Sequence, residues 1–246
     1  MTTLTKLNLT ANSLNGTISP LVAQLSSLTD LGLGINIFMG SIPFEITGLS
    51  DLESLVLGET ELEGTIPAEL GLLTGLSVLN LGTALFSGTI PLELGFLSSL
   101  RRLALDSNFL KGKIITELGL LTNLVELQLH TNQLTGVIPS ELGSLLSLQD
   151  LVLSNNTLTG SIPKAVGTLL SLVRFEVDIN DLSGLIPSEL GNPQSLETIL
   201  LGMNLLTGTV PVEICNLSNL TVLITDCAGT IPKVVCKCCT NCTQQK

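Results

Sequence analysis

The sequence predicts an α/β repeat fold, a solenoid of stacked 24-residue units, and three observations carry the prediction. Nine glycines, Gly16, Gly40, Gly64, Gly88, Gly112, Gly136, Gly160, Gly184 and Gly208, stand 24 residues apart without a slip. A fixed period of about 20–50 residues marks a repeat architecture. Around each glycine the apolar residues keep one spacing, L-x-x-L-x-L-x-x-N-x-L-x-G-x-I-P, most fully in Leu124, Leu127, Leu129, Asn132, Leu134, Gly136, Ile138 and Pro139. After the glycine, a proline and then a glutamate two residues on recur in nearly every unit.

Each unit opens on a short strand. Leu127 and Leu129, Leu151 and Leu153, and Phe175 and Val177 are two apart, which is strand period. The next leucine and the isoleucine two after the glycine point into the same core. One unit cannot bury its own apolar face, but stacked units share a continuous core. An asparagine column follows the strand: Asn12, Asn36, Asn108, Asn132, Asn156, Asn180 and Asn204. A short amide at a tight turn hydrogen-bonds nearby backbone groups that the strand leaves unpaired. Thr60 and Ala84 break the column, so the third and fourth units are expected to be the loosest. The glycine then permits a backbone conformation or a close approach that a Cβ would block. Pro43, Pro67, Pro91, Pro139, Pro163, Pro187 and Pro211 come next, with Ile115 the exception. Glu45, Glu69, Glu93, Glu117, Glu141, Glu189 and Glu213 follow, with Ala165 the exception. Proline at the first helical position and an acid in the first turn form a helix-start pattern. The acid complements the helix N-terminus, worth ~0.3–1 kcal/mol. The glutamate column is therefore read as structural.

These residues resemble the plant-type leucine-rich repeat, with its 24-residue unit and Gly-x-Ile-Pro motif, over about residues 4–223. The resemblance implies a right-handed leucine-rich-repeat solenoid with a parallel concave sheet and short 3₁₀ or α turns on the convex side. It places residues 1–214 in about ten repeats and 215–246 in a Cys-rich C-terminal cap. It implies a relative of receptor ectodomains and of polygalacturonase-inhibitor-like secreted proteins. Such proteins bind a protein, peptide or glycan and catalyse nothing. The ending, with Cys227 followed by Cys236, Cys238, Cys239 and Cys242, resembles the tails of diatom leucine-rich-repeat proteins.

The net charge of −11 and pI of 4.4 argue against a nucleic-acid partner, which needs a basic footprint, and against anionic lipid. Leu70–Leu92 carries no charge, but Gly71, Gly75, Asn80, Gly82, Gly88 and Pro91 keep repeat register within it. It is read as core and not as a membrane span. No cofactor is implied, and a monomer is expected. All six cysteines, Cys215, Cys227, Cys236, Cys238, Cys239 and Cys242, fall at the end of the chain. They are read as a disulfide-bonded cap whose pairing the sequence leaves open. A zinc site in C-x-C-C-x₂-C is the alternative, with no histidine nearby to support it. Glycosylation sequons at Asn8, Asn15, Asn155, Asn216, Asn219 and Asn241 fit an extracellular or cell-surface setting. At the other end, a unit begins at Leu4 with no signal peptide or cap, and Leu4, Leu7 and Leu9 leave an apolar edge. This predicts a chain truncated at its N-terminus.

Residues flanking the strand leucines form three outward columns, ~4.8 Å apart from strand to strand. Charge concentrates in repeats five to eight. The first column holds Arg102, Glu126, Asp150 and Arg174, the second Gln128 and Glu176, and the third Asp106, His130 and Asp178. This patch is the candidate ligand-binding surface, with Ile179 and Met203 beside it. The repeats before it are bland, with Gly32, Gly34, Gly58 and Gly82. Ordinary solvated surface is the competing reading, since Arg102 neighbours Glu126 and Asp150 neighbours Arg174. Two further alternatives come from other columns. Asp106, His130 and Ser154 stand in the order of a hydrolase triad on three successive strands. The residues after the glycines, Thr17, Ser41, Thr65 and Thr89, then Lys113, Val137, Ser161, Leu185 and Thr209, form an interrupted hydroxyl row of the kind that binds ice.

Overall fold

The computed structural model describes residues 3–228 and 233–243. The outer ends of the two expected segments, residues 1–2 and 244–246, lie outside them, as do 229–232. Each repeat contributes a three-residue strand to one parallel sheet of eleven strands. The register is one repeat per step: Arg102 pairs with Glu126, Glu126 with Asp150 and Asp150 with Arg174. The opposite side is a row of 3₁₀ helices of four or five residues, such as Ser140–Ser144, closed by one short α-helix, Val212–Cys215. Between the two lies the core. Leu127, Leu129, Leu134, Leu142, Leu145 and Leu148 of the sixth repeat are all buried. Each is worth ~1.5–3 kcal/mol relative to exposure.

Three features of the repeat go beyond the sequence reading. First, the segment around each ladder glycine forms a second parallel sheet of ten strands, among them Gln133–Gly136 and Thr157–Gly160. Second, the proline is one residue earlier than expected. Pro139 is the N-cap, with φ −63° and ψ 134°, and Ile115 takes the same extended conformation at φ −75° and ψ 140°. The proline ring pre-sets this φ. Only Pro20 lies inside a first turn. Third, every repeat from the first to the ninth has two left-handed residues. One is the ladder glycine, at φ +77° to +87°. The other precedes the asparagine column and is never glycine: Ala11, Ile35, Glu59, Thr83, Ser107, Thr131, Asn155, Ile179 and Met203, at φ 54–58°.

The asparagine that follows holds this turn. Asn180 Nδ2 donates to the carbonyls of Leu153, Val177 and Asp178 at 3.1, 3.1 and 3.2 Å. Its Oδ1 accepts from the Leu158 N–H at 3.0 Å, one repeat back. A left-handed L-residue costs roughly 1–2 kcal/mol, and these bonds offset it. Thr60 keeps one of them, from Oγ1 to the Leu57 carbonyl at 2.8 Å. Ala84 has no polar group to make any. The core beneath is nonetheless full: Leu57, Leu62, Leu81 and Phe86 are all completely buried.

The Cys-rich end continues both sheets. Val222–Thr225 pairs with Thr198–Leu200, Asn241–Cys242 adds the eleventh strand, and Val234–Val235 adds the tenth strand of the second sheet. Its cysteines pair as Cys215–Cys238, Cys227–Cys242 and Cys236–Cys239. The first of these ties the tail to Val212–Cys215. Asp226, 48 residues after Asp178 and so in register with the outward third column, is buried. Its carboxylate accepts from Met203 N–H at 2.6 Å, Asn204 N–H at 2.9 Å and the Thr243 hydroxyl at 2.8 Å. It takes the place, for the ninth turn, of the two backbone carbonyls of the following repeat that receive these N–H groups elsewhere, as the Gly202 and Met203 carbonyls do for Ile179 and Asn180.

Candidate functional site

The sheet puts the predicted patch on one face. In the first column Arg102 Nε lies 3.1 Å from Glu126 Oε2, and Arg174 Nε lies 3.4 Å from Asp150 Oδ1 and 3.7 Å from Glu176 Oε1. Arg102 and Arg174 are half exposed, so each pair is worth ~0–1 kcal/mol. The second column sets Gln128 between Ala104 and Val152, and Glu176 between Val152 and Leu200. The two apolar neighbours shield Glu176. Burial pushes its carboxyl above the usual carboxylate range, and Arg174 only partly offsets this.

The third column does not assemble the hydrolase triad. His130 Nε2 lies 3.6 Å from Asp106 Oδ2, and His130 Nδ1 contacts Thr131 Oγ1 at 3.2 Å. The Ser154 hydroxyl turns the other way and donates to the Asp178 carboxylate. The serine is thus given to a carboxylate one strand further on and not to His130, which departs from the Ser-His-Asp arrangement. The order of residues along a column cannot say which neighbour a hydroxyl will turn to.

Around this point the sheet dips into a recess of about 200 Å³. Gln128, His130, Arg174, Glu176 and Asp178 of the predicted patch line it, together with Ser154. Its apolar walls, Val152 and Leu200, were not singled out by the sequence. Arg102, Asp106, Glu126 and Asp150 lie on the same face outside the recess. Of the two residues predicted beside it, Met203 is 39% exposed, and Ile179 is partly buried in its left-handed turn.

The second sheet carries the hydroxyl row. Thr17, Ser41, Thr65, Thr89, Ser161 and Thr209 are all exposed, with Lys113, Val137 and Leu185 between them. The ladder glycines seat this row: a Cβ on Gly88 would stand 3.0 Å from the Thr65 methyl, and one on Gly112 3.0 Å from that of Thr89. A neighbouring row went unnoticed in the sequence. The hydroxyls of Thr135, Thr159, Ser183 and Thr207 donate to the carbonyls of Gly112, Gly136, Gly160 and Gly184 at 3.3–3.5 Å. All six sequon asparagines are exposed. No helix among the described residues is long and apolar enough to cross a membrane.

A stacked-repeat solenoid that offers ordered columns of side chains on an open sheet is a scaffold for binding. The Leucine Rich Repeat family model matches residues 123–145 and 147–169. A leucine-rich-repeat protein of Leptospira interrogans is 30% identical over 96% of this chain and 68% of its own, with a TM-score of 0.61. The chain belongs to the leucine-rich-repeat family. The Arabidopsis receptor kinase HAESA, solved with the peptide hormone IDA and the co-receptor SERK1, is 34% identical over 91% of this chain and 41% of its own (TM-score 0.76). A plant ice-binding protein is 29% identical over 98% of this chain and 82% of its own (TM-score 0.82). The chain spans between a quarter and a half of the length of several plant receptor ectodomains it resembles. No curated protein sequence matches it.

Proposed function

We propose that the chain is a non-catalytic recognition module that binds an extended peptide or a protein segment across the concave face of repeats five to eight. The observation that carries this reading is the convergence of five of the nine predicted patch residues on one recess, in repeats whose neighbours offer glycine instead. The peptide bound to the HAESA ectodomain supports the ligand class. The three disulfides and the exposed sequons support a secreted or cell-surface protein, either free or as part of a receptor. The test is selection of peptides from a random displayed library. Combined charge reversal of Arg102, Glu126 and Arg174 is expected to abolish binding of the selected peptides with the circular-dichroism spectrum unchanged. Unchanged binding discards the patch.

A second reading rests on the two hydroxyl rows of the second sheet and on the match to the ice-binding protein. In this reading the flat, regular hydroxyl lattice orders water. Lys113 and Leu185 interrupt one row, which makes this the weaker reading. Thermal hysteresis decides it: no activity at high protein concentration removes ice binding.

A further inference from the structure

We infer that the recess between strands 150–152, 174–176 and 198–200 is a subsite for a basic side chain, arginine before lysine, of the bound polypeptide. The inference rests on the recognition reading above and specifies its chemistry.

The recess has two kinds of surface. Its walls are apolar, with Val152 on one side of Glu176 and Leu200 on the other. Its polar end holds the Glu176 and Asp178 carboxylates, two residues apart on one strand path and so on one face. An arginine or lysine side chain has the same division, an aliphatic stem and a charged head. The volume, about 200 Å³, suits one such side chain and not a folded element.

The charges decide the sign of the guest. Arg174, the one arginine or lysine of the recess walls, is already shared between Asp150 and Glu176. His130 lies against Asp106. Asp178 makes no ion pair among the described residues, and its carboxylate accepts from the neutral Ser154 hydroxyl. The patch as a whole sets Asp106, Glu126, Asp150, Glu176 and Asp178 against only Arg102 and Arg174. An anionic guest would meet matched cations and surplus carboxylates. A cationic guest meets two carboxylates whose charge the protein leaves under-compensated. The planar guanidinium can take both acceptors at once, which places arginine ahead of lysine.

The probe is N-acetyl-arginine amide, titrated into the isotopically labelled chain and followed by amide NMR, with N-acetyl-citrulline amide as the neutral isostere. The arginine probe is expected to shift the amides of Val152, Ser154, Glu176, Asp178 and Leu200, and to bind roughly tenfold more tightly than citrulline. The double variant Glu176→Gln, Asp178→Asn keeps both shapes and the acceptor for Ser154, and is expected to remove that preference. Equal binding of the two probes, shifts centred elsewhere, or an unaltered preference in the double variant overturns the subsite. The two readings fail separately. Library peptides that need Arg102, Glu126 and Arg174 but show no enrichment in arginine or lysine, with no arginine-probe preference, overturn the subsite and leave recognition standing. Library peptides indifferent to the charge reversal, with an arginine probe still seated against Glu176, overturn the wider patch and uphold the subsite.

Discussion

Repeats three and four and repeats seven and eight follow the same backbone path, yet they differ at two aligned positions. On the concave face repeats three and four have Gly58 and Gly82 where repeats seven and eight have Ser154 and Asp178. In the turn they have Thr60 and Ala84 where the others have Asn156 and Asn180. The first difference concerns what the surface offers. A Cβ on Gly58 would stand 2.6 Å from both the Gly82 carbonyl and Asn80 Oδ1, so the neighbouring chain has closed over the place where a side chain would project. The second concerns what holds the turn. The Asn180 side chain makes at least four hydrogen bonds and that of Thr60 one, while Ala84 has no side-chain group to make any. Yet Leu62 and Phe86 are as deeply buried as Leu158 and Leu182. The scaffold tolerates a lost amide because a filled core and two sheet ladders still fix the repeat. The concave face of repeats three and four has no such freedom.

Five variants probe this contrast, and the largest effect is expected where the turn is fully braced. Asn180→Leu leaves the buried Leu158 N–H without its acceptor and takes one donor from each of the Leu153, Val177 and Asp178 carbonyls, which keep Asn156 Nδ2, Asn204 Nδ2 and the Asn155 N–H. It should cost on the order of 3 kcal/mol in urea unfolding; a loss no greater than that of Thr60→Val would break the distinction between the two regions. Transplanting charge comes next. Gly58→Asp meets backbone at 2.6 Å and should cost about 1–3 kcal/mol, whereas Ser154→Asn, in the same column, keeps a donor for Asp178 and should be tolerated by the fold. The reverse repair, Ala84→Asn, restores the missing amide and should add about 1 kcal/mol. No gain would mean that the repeat has relaxed around its gap.

The smallest effect tests the electrostatics of the recess. Burial raises the Glu176 carboxyl, so the folded chain holds that proton more tightly than the unfolded chain. Ionised Glu176 therefore costs stability at neutral pH, and the cost fades as pH falls through its raised range. Glu176→Gln should stabilise the chain at pH 7, within about 0.5 kcal/mol, with the gain disappearing in acid. Denaturation at both pH values measures it.

Much of the fold was legible because leucine and glycine spacing reports burial and turn positions directly. The second sheet was not, because a strand such as Gln133–Gly136 contributes a single buried leucine and then a glycine. The left-handed residue before each asparagine was invisible for a different reason. Ala11, Glu59, Ser107 and Ile179 share no chemistry, because each is held through its backbone N–H by a carbonyl of the next repeat and not by its side chain. For the site, period placed Arg174, Glu176 and Asp178 on one face. It could not show that Ser154 turns to Asp178, nor that Val152 and Leu200 wall a recess, since those depend on rotamers and on the dip of the sheet.

The asparagine ladder also has a direction. Each amide accepts an N–H and takes a carbonyl from the repeat before it, as Asn180 does with Leu158 and Leu153, and nothing in the ladder reaches forward. Most repeats are thus braced by their successors; repeats two and three are not, because Thr60 and Ala84 stand where the amides would be, and the ninth is held by the buried Asp226 carboxylate. Each such bond joins two neighbouring repeats and supports both, so opening at either end weakens the next junction. Thr60 and Ala84 leave the junctions among repeats two, three and four without an amide bridge, so the array is expected to divide there into two cooperative stretches.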